Sequence, residues 1–223
     1  MSYILNIETS TTNCSVSLSL NGKLLHFIEV NDGYKHAENL HPFIEKLLIE
    51  SSLTPRDLNA IAVSKGPGSY TGLRIGVSAA KGLAYALSIP LIGISSLKIL
   101  TKAAIELKQN EKAYFVPMID ARRMEVYSAC YDEKLNVIRD TEALILTENN
   151  PYINYKGGIY CFGDGAHKII SAWSISTIQI IENIYPNAKY MPELSHELFQ
   201  SNSFENVAYL EPFYLKEFAG NKK

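Results

Sequence analysis

Apolar and polar residues alternate in three short segments at the start of the chain. Residues 3–7 form an apolar run, and residues 14–20 read CSVSLSL, which places every second side chain on an apolar face. Asn21-Gly22 then suits a tight turn with positive φ at both residues, and residues 23–30 supply a further strand. This pattern predicts a meander of three antiparallel strands with one buried side.

The spacing of apolar residues changes to that of a helix after the meander. Residues 35–51 carry apolar side chains three and four positions apart, at Leu40, Phe43, Ile44, Leu47 and Leu48. The pattern then predicts a buried strand at residues 60–63, a second helix at 71–87 and another strand at 91–94. The predicted order is strand, strand, strand, helix, strand, helix, strand.

The second half of the chain begins with the same pattern. From Ile4 the sequence reads ILNIETSTTNCSVSLSLNGKLLHFIE, and from Val116 it reads VPMIDARRMEVYSACYDEKLNVIRD. In both, an apolar strand ends in a carboxylate, Glu8 or Asp120, and a polar turn leads to an alternating strand. The repeat predicts a duplicated α/β unit. We place the two halves at residues 1–110 and 111–223, with the C-terminal segment a candidate to return to the first.

A glycine-rich loop, KGPGSYTGLRIG at residues 65–76, joins the predicted strand to the second helix. It lacks the Lys-Ser or Lys-Thr of the GxxxxGK[ST] phosphate loop, and Thr71 interrupts GxGxxG. The loop is either a plain tight turn or a helix start whose backbone N–H groups bind an anion. Two interpretations also apply to the turn after Glu8: its hydroxyl groups either cap and stabilise the turn, or the turn binds an anion. The anion-site candidates are Thr9, Ser10, Thr11, Gly66, Gly68 and Ser69.

Small residues recur at every fourth position of the second helix, at Gly72, Gly76, Ala80 and Ala84. Such a stripe leaves a shallow groove into which another element can come close. The partner is either internal, in the helix at residues 35–51 or the sheet beneath, or it belongs to another chain.

Composition and charge limit the class of protein. The 223 residues are 47% hydrophobic and 20% charged, and the net charge of -2 argues against a self-sufficient nucleic-acid binder. The three cysteines lie far apart among apolar residues, which is typical of reduced thiols. No basic leader and no apolar stretch of membrane length is present. We therefore expect a cytoplasmic protein that does not bind membranes.

Few side chains suggest metal binding or catalysis. His36 and His41 are five positions apart, which points their rings about 140° apart on a helix, so solvated or interface histidines are favoured over a metal site. Arg122 and Arg123 follow Asp120 and are able to pair with it in place of Mg²⁺. GDGAH, at residues 163–167, predicts a turn with Asp164 as a helix cap.

Three segments resemble a known family. KGPGSYTGLRIG after a strand, the opening NIETSTTNCSVSL and the closing PFYLKEF are similar to the TsaB (YeaZ-like) family, subunits of the bacterial machinery that makes threonylcarbamoyladenosine (t6A) on tRNA. The resemblance implies an α/β fold of the actin-like and Hsp70-like (ASKHA) type, built from two ribonuclease H-type halves, the second of them reduced. It implies a non-catalytic subunit that binds and stimulates TsaD, which transfers threonylcarbamoyl to the adenosine beside the anticodon.

The resemblance also implies partners and an interface. TsaE joins TsaD in the complex, the chain forms a homodimer when TsaD is absent, and tRNA is reached only through the complex. No metal or cofactor belongs to this chain, although ATP or ADP at the shared interface is compatible with the family. The two predicted helices form the contact, and the expected interface residues are Gly72, Gly76, Ala80, Ala84, His36 and Leu40.

Two other functions compete with this expectation. One is a small kinase or ATPase of the same fold, acting through Glu8, Asp120 and the Gly-Asp-Gly turn at residues 163–165. The other is a glycopeptidase-like protease, for which the sequence offers neither a metal pair at workable spacing nor a triad signature.

Overall fold

A computed structural model describes residues 1–33, 35–108, 112–173 and 178–215. The chain divides into two compact units, the first formed by Met1–Ile99 with Pro186–Phe213 and the second by Leu100–Tyr185 with Tyr214. Within the described ranges, no helix combines the length and apolar character that crossing a membrane requires.

The first unit is built on a five-stranded mixed sheet. Its strands are β1 (Tyr3–Glu8), β2 (Cys14–Leu20), β3 (Lys23–Val30), β4 (Ala60–Gly66) and β5 (Leu91–Ser95). The sheet order is β3-β2-β1-β4-β5, with an antiparallel meander on one side and two strands parallel to β1 on the other. The helices α1 (His36–Glu50) and α2 (Tyr70–Leu87) follow β3 and β4, and the boundary between the two units falls within the next helix, α3 (Ser96–Leu107).

These elements confirm the predicted order. Asn21 and Gly22 take φ values of 50° and 80° in the turn between β2 and β3, as the Asn-Gly signal predicts. Both predicted helices begin and end within one residue of the observed α1 and α2. Their apolar stripes cover one face of the sheet and form a buried core with Leu5, Ile7, Val16, Leu18, Leu40, Ile44, Leu47, Val77, Ala80 and Ala84.

The second unit repeats this sheet. Its strands are β6 (Ala113–Asp120), β7 (Glu125–Tyr131), β8 (Val137–Ile145), β9 (Gly158–Phe162) and β10 (Ile178–Ile181). The order β8-β7-β6-β9-β10 matches the first sheet strand for strand, and so do the parallel and antiparallel pairings. The duplicated α/β unit predicted from the sequence is therefore confirmed.

The helices of the second unit are reduced, as expected. No helix forms in residues 146–157, the connection from β8 to β9 that corresponds to α1 in the first unit. Tyr152 is fully buried there and packs edge to face against Tyr155 and Trp173. The counterpart of α2 is a 3₁₀ turn at Ala166–Lys168 followed by the single-turn helix α4 (Ile169–Ala172).

The polar face of β2 differs from the expectation of one buried side. Ser15, Ser17 and Ser19 are buried beneath a 3₁₀ turn at Ala188–Tyr190 and the helix α5 (Pro192–Gln200). The hydroxyl of Ser17 donates to the Ala188 carbonyl at 2.7 Å, and the Ala188 N–H donates to the Ser15 hydroxyl at 2.9 Å. The prediction was wrong because a segment from the far end of the chain covers this face, and its backbone requires polar partners.

Candidate functional site

The glycine-rich loop places the start of α2 directly against the turn between β1 and β2. Ser69 caps the helix, since its hydroxyl accepts the Gly72 N–H at 3.3 Å. The Ser69 N–H donates to the Ser10 carbonyl at 2.7 Å, and the Thr9 hydroxyl donates to the Gly72 carbonyl at 2.8 Å. Backbone and side-chain hydrogen bonds therefore lock the two loops together.

Three glycines make this close packing possible. A Cβ atom at Gly68 would overlap the carbonyl oxygen of Ser10, one at Gly72 would overlap the carbonyl oxygen of Thr9, and one at Gly76 would overlap the hydroxyl of Thr9. No residue with a side chain fits at these positions without displacing the β1–β2 turn. The loop serves to bring a turn and a helix into backbone contact.

The predicted interface residues lie inside the first unit. Gly72, Gly76, Ala80, Ala84, His36 and Leu40 are all buried. Thr9 fills the groove at the two glycines, while the two alanines and Leu40 belong to the core between the helices and the sheet. The interpretation of this stripe as a groove for another chain is corrected, because its partner is internal.

The residues proposed for anion binding lie close together, and backbone N–H groups that an anion would need are already hydrogen-bonded, although the Ser10 hydroxyl has no partner among the described residues. The Ser10 N–H donates to Glu8 Oε1 at 2.6 Å, and the Ser69 N–H is taken by the Ser10 carbonyl. At Gly66 a Cβ would meet the backbone carbonyl oxygen of Phe213 at 2.9 Å. An anion at this place would have to displace these contacts and approach the Glu8 carboxyl group.

Glu8 is the most perturbed acid in this region. It is completely buried, and burial raises the pKa of its carboxyl group to about 7, although hydrogen bonds from Ser10 and Ser64 oppose the shift. Oε1 accepts the Ser64 hydroxyl at 2.9 Å, whereas Oε2 has no hydrogen-bond partner among the described residues. The carboxyl group therefore keeps its proton in the folded protein at pH values well above the usual range for glutamate, up to about pH 7.

His36 is neither solvated nor at a surface, which corrects the expectation for this residue. Its Nε2–H donates to the Thr11 carbonyl at 2.7 Å, and burial lowers the pKa of the ring. His41, by contrast, is exposed on α1. Among the residues that the structure describes, no group of three or more His, Cys, Asp or Glu side chains is arranged to hold a metal ion.

The outward face of α2 carries a second small-residue stripe that sequence reasoning missed. Ser78, Gly82 and Ala86 are exposed at a spacing of four, and a Cβ at Gly82 would meet nothing within 4 Å. On the same helix the side chain of Tyr85 is 81% exposed, and on α1 the side chain of Ile49 is 68% exposed. The spacing of these small residues was visible in the sequence, but only packing shows which stripe faces outward.

The acidic residue of the second half is engaged within its own unit. Asp120 Oδ1 accepts Lys168 Nζ at 2.6 Å and the backbone N–H of Arg122 at 2.6 Å. The expected pairing of Asp120 with the Arg122 and Arg123 side chains is therefore wrong. Asp164 accepts the Asp120 N–H at 2.9 Å, so it ties the loop after β9 to the end of β6 and does not cap a helix.

The cysteines are buried and unpaired, as the sequence predicted. Burial raises the pKa of Cys14 and of Cys130 to about 12, and it raises the pKa of Cys161 as well. These thiols are held in their unreactive protonated form.

Two matching sheets of ribonuclease H-type topology define this chain as an actin-like (ASKHA) protein. Residues 33–160 match the family model described as "TsaD: tRNA N6-adenosine threonylcarbamoyltransferase". The chain is 31% identical to the tRNA threonylcarbamoyladenosine biosynthesis protein TsaB of Escherichia coli over 227 residues, with 99% of this chain and 97% of the relative covered. It is 30% identical to the TsaB protein of Haemophilus influenzae over 230 residues, with 96% and 93% covered.

A solved structure agrees with these relatives. The structure of YeaZ from Pseudomonas aeruginosa covers 96% of this chain and is itself covered completely, with 26% identity and a TM-score of 0.85. The chain belongs to the TsaB family, whose curated members are named as proteins of t6A biosynthesis.

Proposed function

We propose that this chain is the non-catalytic activating subunit of the t6A synthase. It binds TsaD and stimulates the transfer of threonylcarbamoyl to the adenosine beside the anticodon. Membership of the TsaB family supports the pathway, and the match to the TsaD family model supports a fold shared with the transferase that it binds.

The exposed surface of α1 and α2 is the observation that carries the proposal. Their outward side combines the open backbone at Gly82 with two large exposed side chains, Tyr85 and Ile49. Small residues let a partner helix approach, and exposed aromatic and aliphatic anchors supply the apolar area to be buried.

The remaining partners are proposed from membership of the TsaB family. TsaE joins the complex of TsaD with this chain, and a homodimer uses α1 and α2 when TsaD is absent. ATP or ADP is held by the assembled complex, and tRNA is reached through it. Because the net charge is -2, we expect no tight tRNA binding by the isolated chain at physiological salt.

A kinase or ATPase is the less favoured function for a geometric reason. An actin-like ATPase needs room for phosphate at its first hairpin turn, and here Thr9 and Ser10 pack into the start of α2. Multiple turnover of ATP by the purified isolated chain would restore the enzyme hypothesis.

The first experiment is a reconstituted modification assay. Purified TsaD, TsaE, threonine, bicarbonate, ATP, the adenylate-forming enzyme and an unmodified tRNA are incubated with and without this chain. We expect t6A to form only when the chain is present. Equal product in its absence would reject the activating role.

A pair of variants tests the proposed surface. Gly82→Leu adds a side chain where the structure leaves open space, so the chain stays folded while the approach of a partner helix is blocked. Glu197→Leu places the same side chain on the exposed side of α5 and serves as the control. We expect loss of TsaD binding in pull-down and calorimetry for Gly82→Leu alone. Gly76→Leu does not suit this purpose, because Thr9 occupies the space that the side chain requires.

A further inference from the structure

The loop between β6 and β7 presents two arginines in an uncommon backbone conformation. Arg122 and Arg123 have φ values of 68° and 46°, in the left-handed region that favours glycine and asparagine. The turn between β2 and β3 uses positive φ at both of its residues as well, and there the sequence is Asn21-Gly22. The β6–β7 loop therefore has arginine at two positions where an Asn-Gly dipeptide, as in the β2–β3 turn, would be less strained.

The backbone of this loop is held in place by groups of the same unit. The carboxylate of Asp120 accepts the Arg122 N–H, and Lys168 Nζ binds both that carboxylate and the Glu125 carbonyl, at 2.6 and 3.0 Å. Asp164 fixes the backbone of Asp120 from the other side. The loop is thus preorganised, which lowers the cost of binding through it.

The same contacts leave the two guanidinium groups available. Lys168 neutralises Asp120, the acidic group that directly precedes the loop. Both arginines are exposed, and neither side chain forms an ion pair or hydrogen bond with any residue that the structure describes. Each guanidinium group is a planar fork of N–H donors that binds phosphate oxygens in a bidentate manner, and this loop exposes two of them in succession.

We propose that Arg122 and Arg123 contact the sugar–phosphate backbone of the tRNA on which the t6A complex acts. This inference rests on the proposed function, which supplies a polyanionic RNA as the substrate. Phosphate contacts of this kind position an RNA without reading its sequence. Two such contacts on a chain of net charge -2 add to the affinity of a complex and give little binding alone.

The test uses a variant that removes both charges and relieves the backbone. Arg122→Asn with Arg123→Gly installs the dipeptide of residues 21 and 22, so we expect a higher melting temperature than that of the wild type. Lys134→Ala with Lys156→Ala removes two exposed charges elsewhere in the second unit and serves as the matched control. Arg122→Lys with Arg123→Lys keeps the charges and loses the planar guanidinium groups.

Binding of tRNA to the complex of TsaD with each variant is measured over a range of salt concentrations. For the Asn-Gly variant we expect affinity about tenfold weaker at low salt, and a slope of log affinity against log salt that is smaller by about 1 to 2. Binding of the variant to TsaD should be unchanged, and the lysine variant should keep the slope. Affinity and slope equal to those of the control would overturn the proposal. Weaker binding to TsaD with unchanged tRNA affinity would also overturn it and would assign the loop to an acidic protein surface.

An experiment on the isolated chain distinguishes failure of the proposed function from failure of this inference. If the wild-type chain does not bind TsaD, the Arg Nε–Hε signals of the isolated chain are followed by NMR as tRNA is added at low salt. Selective shifts of Arg122 and Arg123 that vanish at high salt would support the contact with RNA. Unshifted signals of both arginines at low salt, with tRNA added in large excess so that weak binding is detected, would reject it.

Discussion

Replacing Glu8 with glutamine should change how the stability of the fold depends on pH. Glu8 is completely buried, and burial raises the pKa of its carboxyl group from 4.5 to about 7 in the folded protein. Between these two values the folded chain keeps a proton on Glu8, whereas the unfolded chain has released it. The free energy of unfolding of the wild type therefore falls as the pH rises through this window, and this loss levels off above about pH 7.

The size of the effect follows from the width of the window. The two pKa values, 4.5 and about 7, differ by about 2.5 pH units, and each unit corresponds to about 1.4 kcal/mol. Ionisation of Glu8 thus removes up to about 3 kcal/mol of stability. Glutamine keeps an oxygen that accepts the hydrogen bonds from Ser10 and Ser64, and it carries no charge. The stability of Glu8→Gln relative to the wild type should increase across the window by this amount.

Urea unfolding followed by circular dichroism measures this difference at pH values from about 5 to about 8. The lowered pKa of His36 gives an opposite trend, since stability is lost as the pH falls and the ring must bind a proton, but it is common to both proteins and cancels. Glu45→Gln, on the exposed side of α1, is the control and should give a difference that does not depend on pH. A pH-independent difference for Glu8→Gln as well would refute the reasoning, because the carboxyl group would then not be buried as described.

Three further predictions concern packing. Gly76→Ala should lower the free energy of unfolding by about 1–3 kcal/mol, because the new methyl group meets Thr9. Gly82→Ala, in open space on the same helix, should raise the free energy of unfolding by about 1 kcal/mol. Urea titration compares the two variants, and equal effects would contradict the packing. Ser17→Ala removes the hydrogen bond to the Ala188 carbonyl and should cost about 1–3 kcal/mol, measured in the same way; an unchanged midpoint would show that this bond does not hold the C-terminal segment. The three buried cysteines should react with a thiol reagent only after unfolding, and rapid labelling of the native protein would disagree with their raised pKa values.

The sequence alone determined the order of elements in the first unit and the duplication of the meander. Alternation in residues 14–20, the Asn21-Gly22 turn and the apolar spacing of α1 and α2 are local signals, and each was confirmed within one or two residues. The repeat of the meander around Asp120 was equally visible, because residues near one another in the chain determine strand and turn conformation.

Only the tertiary structure decided which surfaces are covered. The sequence could not show that Thr9 fills the groove at Gly72 and Gly76, or that α5 and the preceding turn bury the serine face of β2. It could not show that Lys168 forms an ion pair with Asp120, so that the side chains of Arg122 and Arg123 do not pair with that carboxylate. In each case the deciding partner lies about 45 to 170 residues away in the chain. Periodicity identifies the face that an element presents, but the partner of that face depends on long-range packing.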